Sequence, residues 1–277
     1  MLLAAIAALS ALAGVGMCVS CGAFLDLRWV WVLPVTFLGA FLLLVGIGFG
    51  FLMVLCRRVD QSVPQEEDDK LYRIVANLIV RSALPFLRIR VTTRGMERAP
   101  KDGRFLLVCN HANDSDPIIL WYCFTKYQLA FISKRENASM FVIGPMMHKL
   151  QCQLINREND REALKTILKC IQILKEDKAS VAVFPEGGIL SEDGKLHHFR
   201  PGVFKIAQKA NVPIVVCTLK NTKDVVRNIL HLKPSRVEMH LLEVIPAEEL
   251  KSVTTVQIAE RCHKLMADDL GPELVCD

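Results

Sequence analysis

Hydrophobic and polar positions divide the chain into two long apolar runs followed by a stretch where short apolar runs alternate with helical periodicity. Residues 1–25 carry no charge, Asp26, Leu27 and Arg28 interrupt, and a second uncharged run extends from Trp29 to Cys56. Each run meets the roughly 20 residues that a bilayer-spanning helix needs. The pattern predicts a helical hairpin in the membrane, or one span plus a re-entrant segment. A cleaved signal peptide is the competing reading of the first run, but Met1-Leu2-Leu3-Ala4 lacks a basic n-region and a second apolar run follows. Arg57 and Arg58 close the second run, so the positive-inside rule puts everything downstream in the cytoplasm and the turn at Asp26 to Arg28 outside.

Between Asp60 and Lys70 the text turns polar and acidic (DQSVPQEEDDK), a linker containing a helix start. Leu71, Ile74, Val75, Leu78, Ile79 and Leu84 then recur at helical spacing up to Pro85. This amphipathic helix, flanked by Lys70, Arg73 and Arg81, either lies on a membrane surface or packs against the domain that follows. Further on, residues 89–93, 105–109, 129–133, 152–155, 181–184, 213–219 and 237–244 read as strands. Ala163, Leu164, Ile167, Leu168, Ile171 and Leu174 mark one helix, and Val203, Phe204, Ile206, Ala207 and Ala210 another. Such alternation predicts an α/β fold with a mixed, largely parallel sheet flanked by helices and joined by right-handed crossovers. The expected organisation is an anchor over 1–58, a linker and amphipathic helix over 59–87, and a cytoplasmic domain over 88–277.

Composition adds little to this. Of the 277 residues, 52% are hydrophobic, and the two leading runs account for the excess. A net charge of +5 suits a protein beside anionic headgroups and gives no reason to expect nucleic acid. The ten cysteines are scattered, which in a reducing compartment predicts no disulfides. Cys18 and Cys21 form a C-x-x-C inside the first apolar run, with no second pair to make a zinc site. No histidine has metal-ligand spacing, so neither metal nor cofactor is expected.

The break in FLLVCNHANDSDPIIL, Phe105 to Leu120, is where chemistry is expected. A buried strand ends at Cys109, and Pro117 opens a helix at its first turn. The polar segment between them sits at a strand's carboxyl end, where open α/β sheets place their sites. His111 and Asp116 are spaced so that the carboxylate can fold back onto one imidazole nitrogen, leaving the other as a base toward an alcohol. His263 and Asp268 repeat the spacing, but within an amphipathic helix where positions five apart share no face. Asp114 is a second carboxylate near His111.

The segment NHANDSDP (Asn110 to Pro117) resembles the first motif of the 1-acylglycerol-3-phosphate acyltransferase family, the PlsC-like glycerolipid acyltransferases. Three more blocks follow in family order: SKRENASMFVIG with LINR (Ser133 to Gly144, Leu154 to Arg157), VFPEGGILS (Val183 to Ser191) and VPIVV (Val212 to Val216). The resemblance covers about 88–219. The third block departs from the family's F-P-E-G-T-R, because Gly188 and Ile189 stand where threonine and arginine are usual. In the second block, Asn137 and Phe141 replace common leucine and proline.

The resemblance implies acyl transfer from an acyl thioester, acyl-CoA or acyl carrier protein, to the free hydroxyl of a membrane lysophospholipid. It implies His111 as general base, Asp116 as its orienting partner in preference to Asp114, and no serine or cysteine nucleophile. It also implies substrate contacts from Lys134 and Arg157, with Glu186 and Gly187 ordering the site and Asn110 organising the loop. Lys195, Arg200 and Lys205 are candidates to replace the cation lost at Ile189. The ordinary fate of such lysines and arginines is a solvated surface. Two alternatives stand beside phosphatidic acid synthesis: a different lysophospholipid acceptor, or a lipid- or partner-binding relative without catalysis. No G-x-S-x-G elbow occurs, which argues against a serine hydrolase. The sequence assigns no oligomeric state.

Overall fold

The computed structural model describes residues 2–22, 31–156, 159–191 and 193–276. Two compact units emerge, Met1–Asp60 and Gln61–Asp277.

The first unit holds helices α1 (Leu2–Ser20) and α2 (Val32–Arg57). Mean hydropathy reaches 2.3 and 2.6 in their most apolar windows, so both are long and apolar enough to cross a membrane. They pack together along Ser10, Gly14 and Cys18, small residues one turn apart that let the backbones approach. A Cβ added at Gly14 would lie 3.2 Å from Leu33 Cδ1. The hydroxyls of Ser10 and Thr36 donate to carbonyls in their own helices, at 2.8 and 2.6 Å, so no donor is left bare in an apolar setting. The turn at Asp26 to Arg28 lies outside the described residues.

The second unit is built on a seven-stranded sheet of order β1-β7-β6-β2-β5-β3-β4. Its strands are β1 (Ile89–Arg94), β2 (Leu106–Cys109), β3 (Leu129–Lys134), β4 (Gln153–Ile155), β5 (Ser180–Val183), β6 (Ile214–Lys220) and β7 (Ser235–Ile245). Only the β6–β7 pairing is antiparallel, so β1 and β7 run against the other five and the sheet is mixed but largely parallel. Every residue of β2 and β5 is buried, which is why both read as unbroken apolar runs.

Helices α5 (Ile143–Lys149) and α8 (Val225–Leu230) lie in the β3–β4 and β6–β7 connections, while α6 (Asp160–Lys175), α7 (Lys205–Ala210) and α9 (Thr255–Leu270) cover one face. Cys170, Ile173, Ile206, Ile258 and Met266 there form one cluster with Leu106, Val108, Val181 and Val216 from the strands. Sequence sets the helix starts: the Asn159 side chain accepts the Arg161 and Glu162 amides, and Thr254 and Gln257 form a reciprocal capping box.

Helix α3 (Lys70–Phe86) starts at Asp69, whose carboxylate accepts two amides. It continues one residue beyond Pro85, the expected end, because a proline in the last turn removes only a single amide donor. Of the two expected orientations, the apolar stripe does not take the one packed on the domain. Leu71, Ile74, Leu78 and Ile79 are exposed, while Tyr72, Arg73 and Ala76 face inward. Arg73 decides this: its guanidinium forms a two-pronged pair with Asp68, donates to the Leu129 carbonyl at 2.9 Å and lies 4.7 Å from the Trp121 ring. Trp121, in α4 (Asp116–Cys123), in turn donates to Asn77 at 2.7 Å and stacks on Phe131 of β3.

Candidate active site

The carboxyl ends of β2, β5, β3 and β6 share one edge of the sheet, and the loops leaving them build the site. Chain 110–116 leaves β2 and is held in place at both of its ends. The buried Asn110 side chain accepts from the Leu219 amide at 2.7 Å and donates to the Leu219 carbonyl at 3.0 Å, clamping β2 to β6. Both its polar groups are thereby used, and its part is to hold the loop. Asn113 donates to the Lys223 carbonyl, and its Oδ1 accepts from the amide and hydroxyl of Ser115.

Asp116 opens α4 and has no exposed surface. Its Oδ2 accepts the Ala112 and Asn113 amides, at 2.7 and 2.8 Å, and lies 3.0 Å from His111 Nδ1. With two amides donating to it, this buried oxygen acts as an acceptor, which places the imidazole proton on Nδ1; Oδ1 is buried with no partner among the described residues. Nε2 has no partner among the described residues. The side chain of His111 is 13% exposed, so this nitrogen is within reach of a substrate. Asp114 is exposed and makes no contact with the imidazole among the described interactions. His263 packs against His198 and Phe199 in α9, apart from Asp268.

The turn after β5 closes on this dyad. The Phe184 ring stacks on His111, with centroids 4.1 Å apart. Glu186, 2% exposed, accepts the His111 amide on Oε1 at 2.7 Å and the His197 amide on Oε2 at 2.9 Å, tying the β2 loop to the segment that follows. Burial pushes the Glu186 carboxyl up to about 7; the two amides oppose this and the Asp116 charge adds to it. Gly187 has a φ of +86°, which disfavours any side chain, and a Cβ there would meet Arg200 Nε at 2.6 Å and displace that side chain. The Arg200 side chain thus lies directly on the turn. Its amide donates to the Pro185 carbonyl at 2.9 Å, and its guanidinium has no partner among the described residues. Ile189 is 38% exposed.

Of the other expected contacts, Lys134 is exposed at the end of β3 and Lys195 bonds Asp193 through its amide. Lys205 is exposed at the start of α7. Arg157 lies outside the described residues. Sequence reasoning gave no role to Phe184 or His197. Phe184 stood inside a quoted block, but nothing in the text signals the stacking.

An open α/β sheet with an oriented imidazole at its carboxyl edge is the frame of an acyl-transfer enzyme, and the family model described as Acyltransferase matches residues 90–220. The chain is 31% identical over 146 residues to the 1-acyl-sn-glycerol-3-phosphate acyltransferase of Bacillus subtilis, covering 52% of this chain and 69% of that one. It is 30% identical over 196 residues to the protein of that name from Chlamydomonas reinhardtii, covering 70% of this chain but only 56% of the algal one. The chain belongs to the 1-acyl-sn-glycerol-3-phosphate acyltransferase family, the PlsC-like acyltransferases. In fold it is similar to the crystal structure of the 1-acyl-sn-glycerophosphate acyltransferase PlsC from Thermotoga maritima, with a TM-score of 0.56 and 22% identity over 78% of this chain and 86% of that one.

Proposed function

We propose that this protein transfers a fatty acyl group from an acyl thioester to the sn-2 hydroxyl of 1-acylglycerol-3-phosphate, giving phosphatidic acid. The observation that carries the reading is the His111–Asp116 pair at 3.0 Å with Nε2 unengaged. Nε2 takes the hydroxyl proton, the oxygen attacks the thioester carbonyl, and the tetrahedral intermediate collapses with loss of the thiolate, which recovers the proton from His111. The buried Asp116 carboxylate holds the tautomer and stabilises the transient imidazolium. No acyl-enzyme forms, since the alcohol itself is the nucleophile. The names of the relatives supply the acceptor and the reaction class.

In this reading Arg200 holds the acceptor's phosphate in place of the arginine absent at position 189, assisted by Lys134, Arg157 and Lys195. Support comes from its unpaired guanidinium lying on the Glu186–Gly187 turn. The two apolar helices and the exposed stripe Leu71, Ile74 and Leu78 suit a membrane enzyme whose catalytic unit works at the cytoplasmic face.

The test is acyl transfer by the detergent-purified protein, with acyl-CoA and acyl carrier protein as donors and a panel of lysolipids as acceptors. Transfer to lysophosphatidic acid that falls about 10²- to 10⁴-fold in His111→Ala, with the melting curve retained, is expected. An active His111→Ala enzyme would sink the mechanism. A second reading, a different lysophospholipid acceptor, is motivated by Ile189; turnover confined to another lysolipid would establish it.

A further inference from the structure

A polar cleft of about 360 Å³ opens beside the catalytic loop, against the end of β6 and the start of β7. That volume lies in the range of small-molecule sites. Asn110 and Ala112, the neighbours of His111 in the chain, line it together with Asp193 and Gly194 from the segment after β5, the end of β6 and the loop beyond it from Lys220 to Asp224, and Arg236 at the start of β7. The carboxylates in and near it are already engaged. Asp269 pairs with Lys220 at 3.2 Å, Asp193 accepts from Ser191 and Lys195, and Asp224 lies 3.9 Å from Arg227. Lys223 and Arg236 have no side-chain partner among the described residues. The hydroxyl of Thr222, another lining residue, is buried and likewise unpartnered there. Two cations and a hydroxyl without partners among the described residues, Lys223 and Thr222 on a loop bonded directly to the catalytic loop through Asn113 and Arg236 on β7 beside it, suit a phosphate ester.

The opposite flank has the contrary character. Ile189 and Leu190 after β5, and Met140 and Phe141 after β3, are exposed apolar side chains at the same sheet edge. A lipid acceptor and an acyl chain belong on that flank. A hydrophilic carrier belongs in the cleft.

We propose that the cleft binds the phosphate of the donor's 4′-phosphopantetheine arm, the group shared by coenzyme A and acyl carrier protein, with Lys223 and Arg236 as its cations. The arm carries phosphate and thioester sulfur at opposite ends, so anchoring the one in the cleft leaves the other free to reach His111. This rests on the acyl-transfer reading above and assigns the donor to one side of the site.

The experiment measures binding of a non-hydrolysable S-alkyl-CoA and of S-alkyl-4′-phosphopantetheine to detergent-solubilised full-length His111→Ala protein, which leaves binding independent of turnover. Lys223→Ala and Arg236→Ala are compared with Lys251→Ala, which removes the same charge beyond the far end of β7. Each cleft substitution is expected to weaken both ligands roughly tenfold, and Lys251→Ala by less than twofold. In parallel, the cleft variants of the His111 enzyme should show a raised KM for acyl-CoA and for acyl carrier protein, whichever the enzyme uses, with the acceptor's KM within about twofold. Weakening of S-alkyl-CoA alone would move the contact to the nucleotide and overturn the proposal, as would a raised acceptor KM or unchanged binding. Loss of donor affinity without any turnover in the parent enzyme would keep the cleft and remove the acyltransferase reading.

Discussion

The catalytic loop and the turn that faces it differ in how tightly they are specified. Around His111, Asn110, Asn113, Ser115 and Glu186 all bond across the loop, and Asp116 Oδ2 alone gathers three donors within 3.0 Å. Around Gly187, the exposed Arg200 guanidinium has no partner among the described residues, and position 189 holds an isoleucine. Proton transfer demands heavy atoms placed to within tenths of an ångström, so its residues tolerate no relocation. Charge recognition acts over a longer range, and in the proposed function a guanidinium arrives from position 200 instead of 189 to serve the same anion.

The largest test of that contrast is Asp116→Ala. It strands two backbone amides and the Nδ1 proton in a buried pocket, at about 1–3 kcal/mol each, so several kcal/mol of stability should disappear together with activity. Asp116→Asn keeps an acceptor but no charge, and should melt closer to the parent while turning over at least about a hundredfold more slowly. If Asp116→Ala melts like the parent, the loop is not held as the geometry indicates. Chemical denaturation alongside turnover separates the two effects.

Next in size is Arg200→Ala, which removes a charge-assisted contact and should raise the KM for lysophosphatidic acid about 10- to 100-fold, with kcat affected less. Adding Ile189→Arg in that background should restore most of the loss, since only the origin of the cation has changed. In the parent, Ile189→Arg should alter little. A strong gain there would instead mean that Arg200 does not meet the phosphate.

Much of the fold was legible because parallel strands buried on both faces read as continuous apolar runs, as β2, β5 and β6 do. The dyad was legible because His111 and Asp116 share one short loop between a strand and a helix. Phe184, His197 and the Asn113–Lys223 bond were not, because they depend on which loops the strand order brings together. Helix α3 shows the limit of periodicity: Leu71, Ile74 and Leu78 gave the helix but left open whether its apolar stripe packs on the domain or faces away. The buried Arg73 with half-buried Asp68 and Trp121 sets that, and their partnership spans some fifty residues of chain.

Glu186 joins the two regions, and its titration gives a smaller and more diagnostic effect. Its folded value of about 7 lies above the ordinary 4.5, so the native state holds the proton more tightly than the unfolded chain. Stability from this group is therefore full below about 4.5 and is lost as pH rises through 7, by on the order of 3 kcal/mol. Glu186→Gln is uncharged throughout, so the parent's stability relative to the variant should fall across that window. A difference independent of pH would show that the carboxyl titrates normally. The variant also offers one amide oxygen to two facing N–H groups, which should cost about 1–3 kcal/mol at low pH, where the parent is neutral too.

The smallest effect should come from Phe184→Leu. The ring lies 4.1 Å from the imidazole at an interplanar angle of 19°, a stack worth about 0.5–1.5 kcal/mol beyond its buried area. Leucine keeps most of the volume but not the flat surface, so the imidazole retains its bond to Asp116 and loses only one restraint on its tilt. Turnover should drop by less than about tenfold, in kcat and not in the KM of either substrate, with little change in melting. If Phe184→Leu instead matched Asp116→Ala in lost activity, hydrogen bonds within the β2 loop would not suffice to hold the base. The β5 turn would then be as exacting as the loop it faces, and tolerance of change would lie only in the cations at its rim.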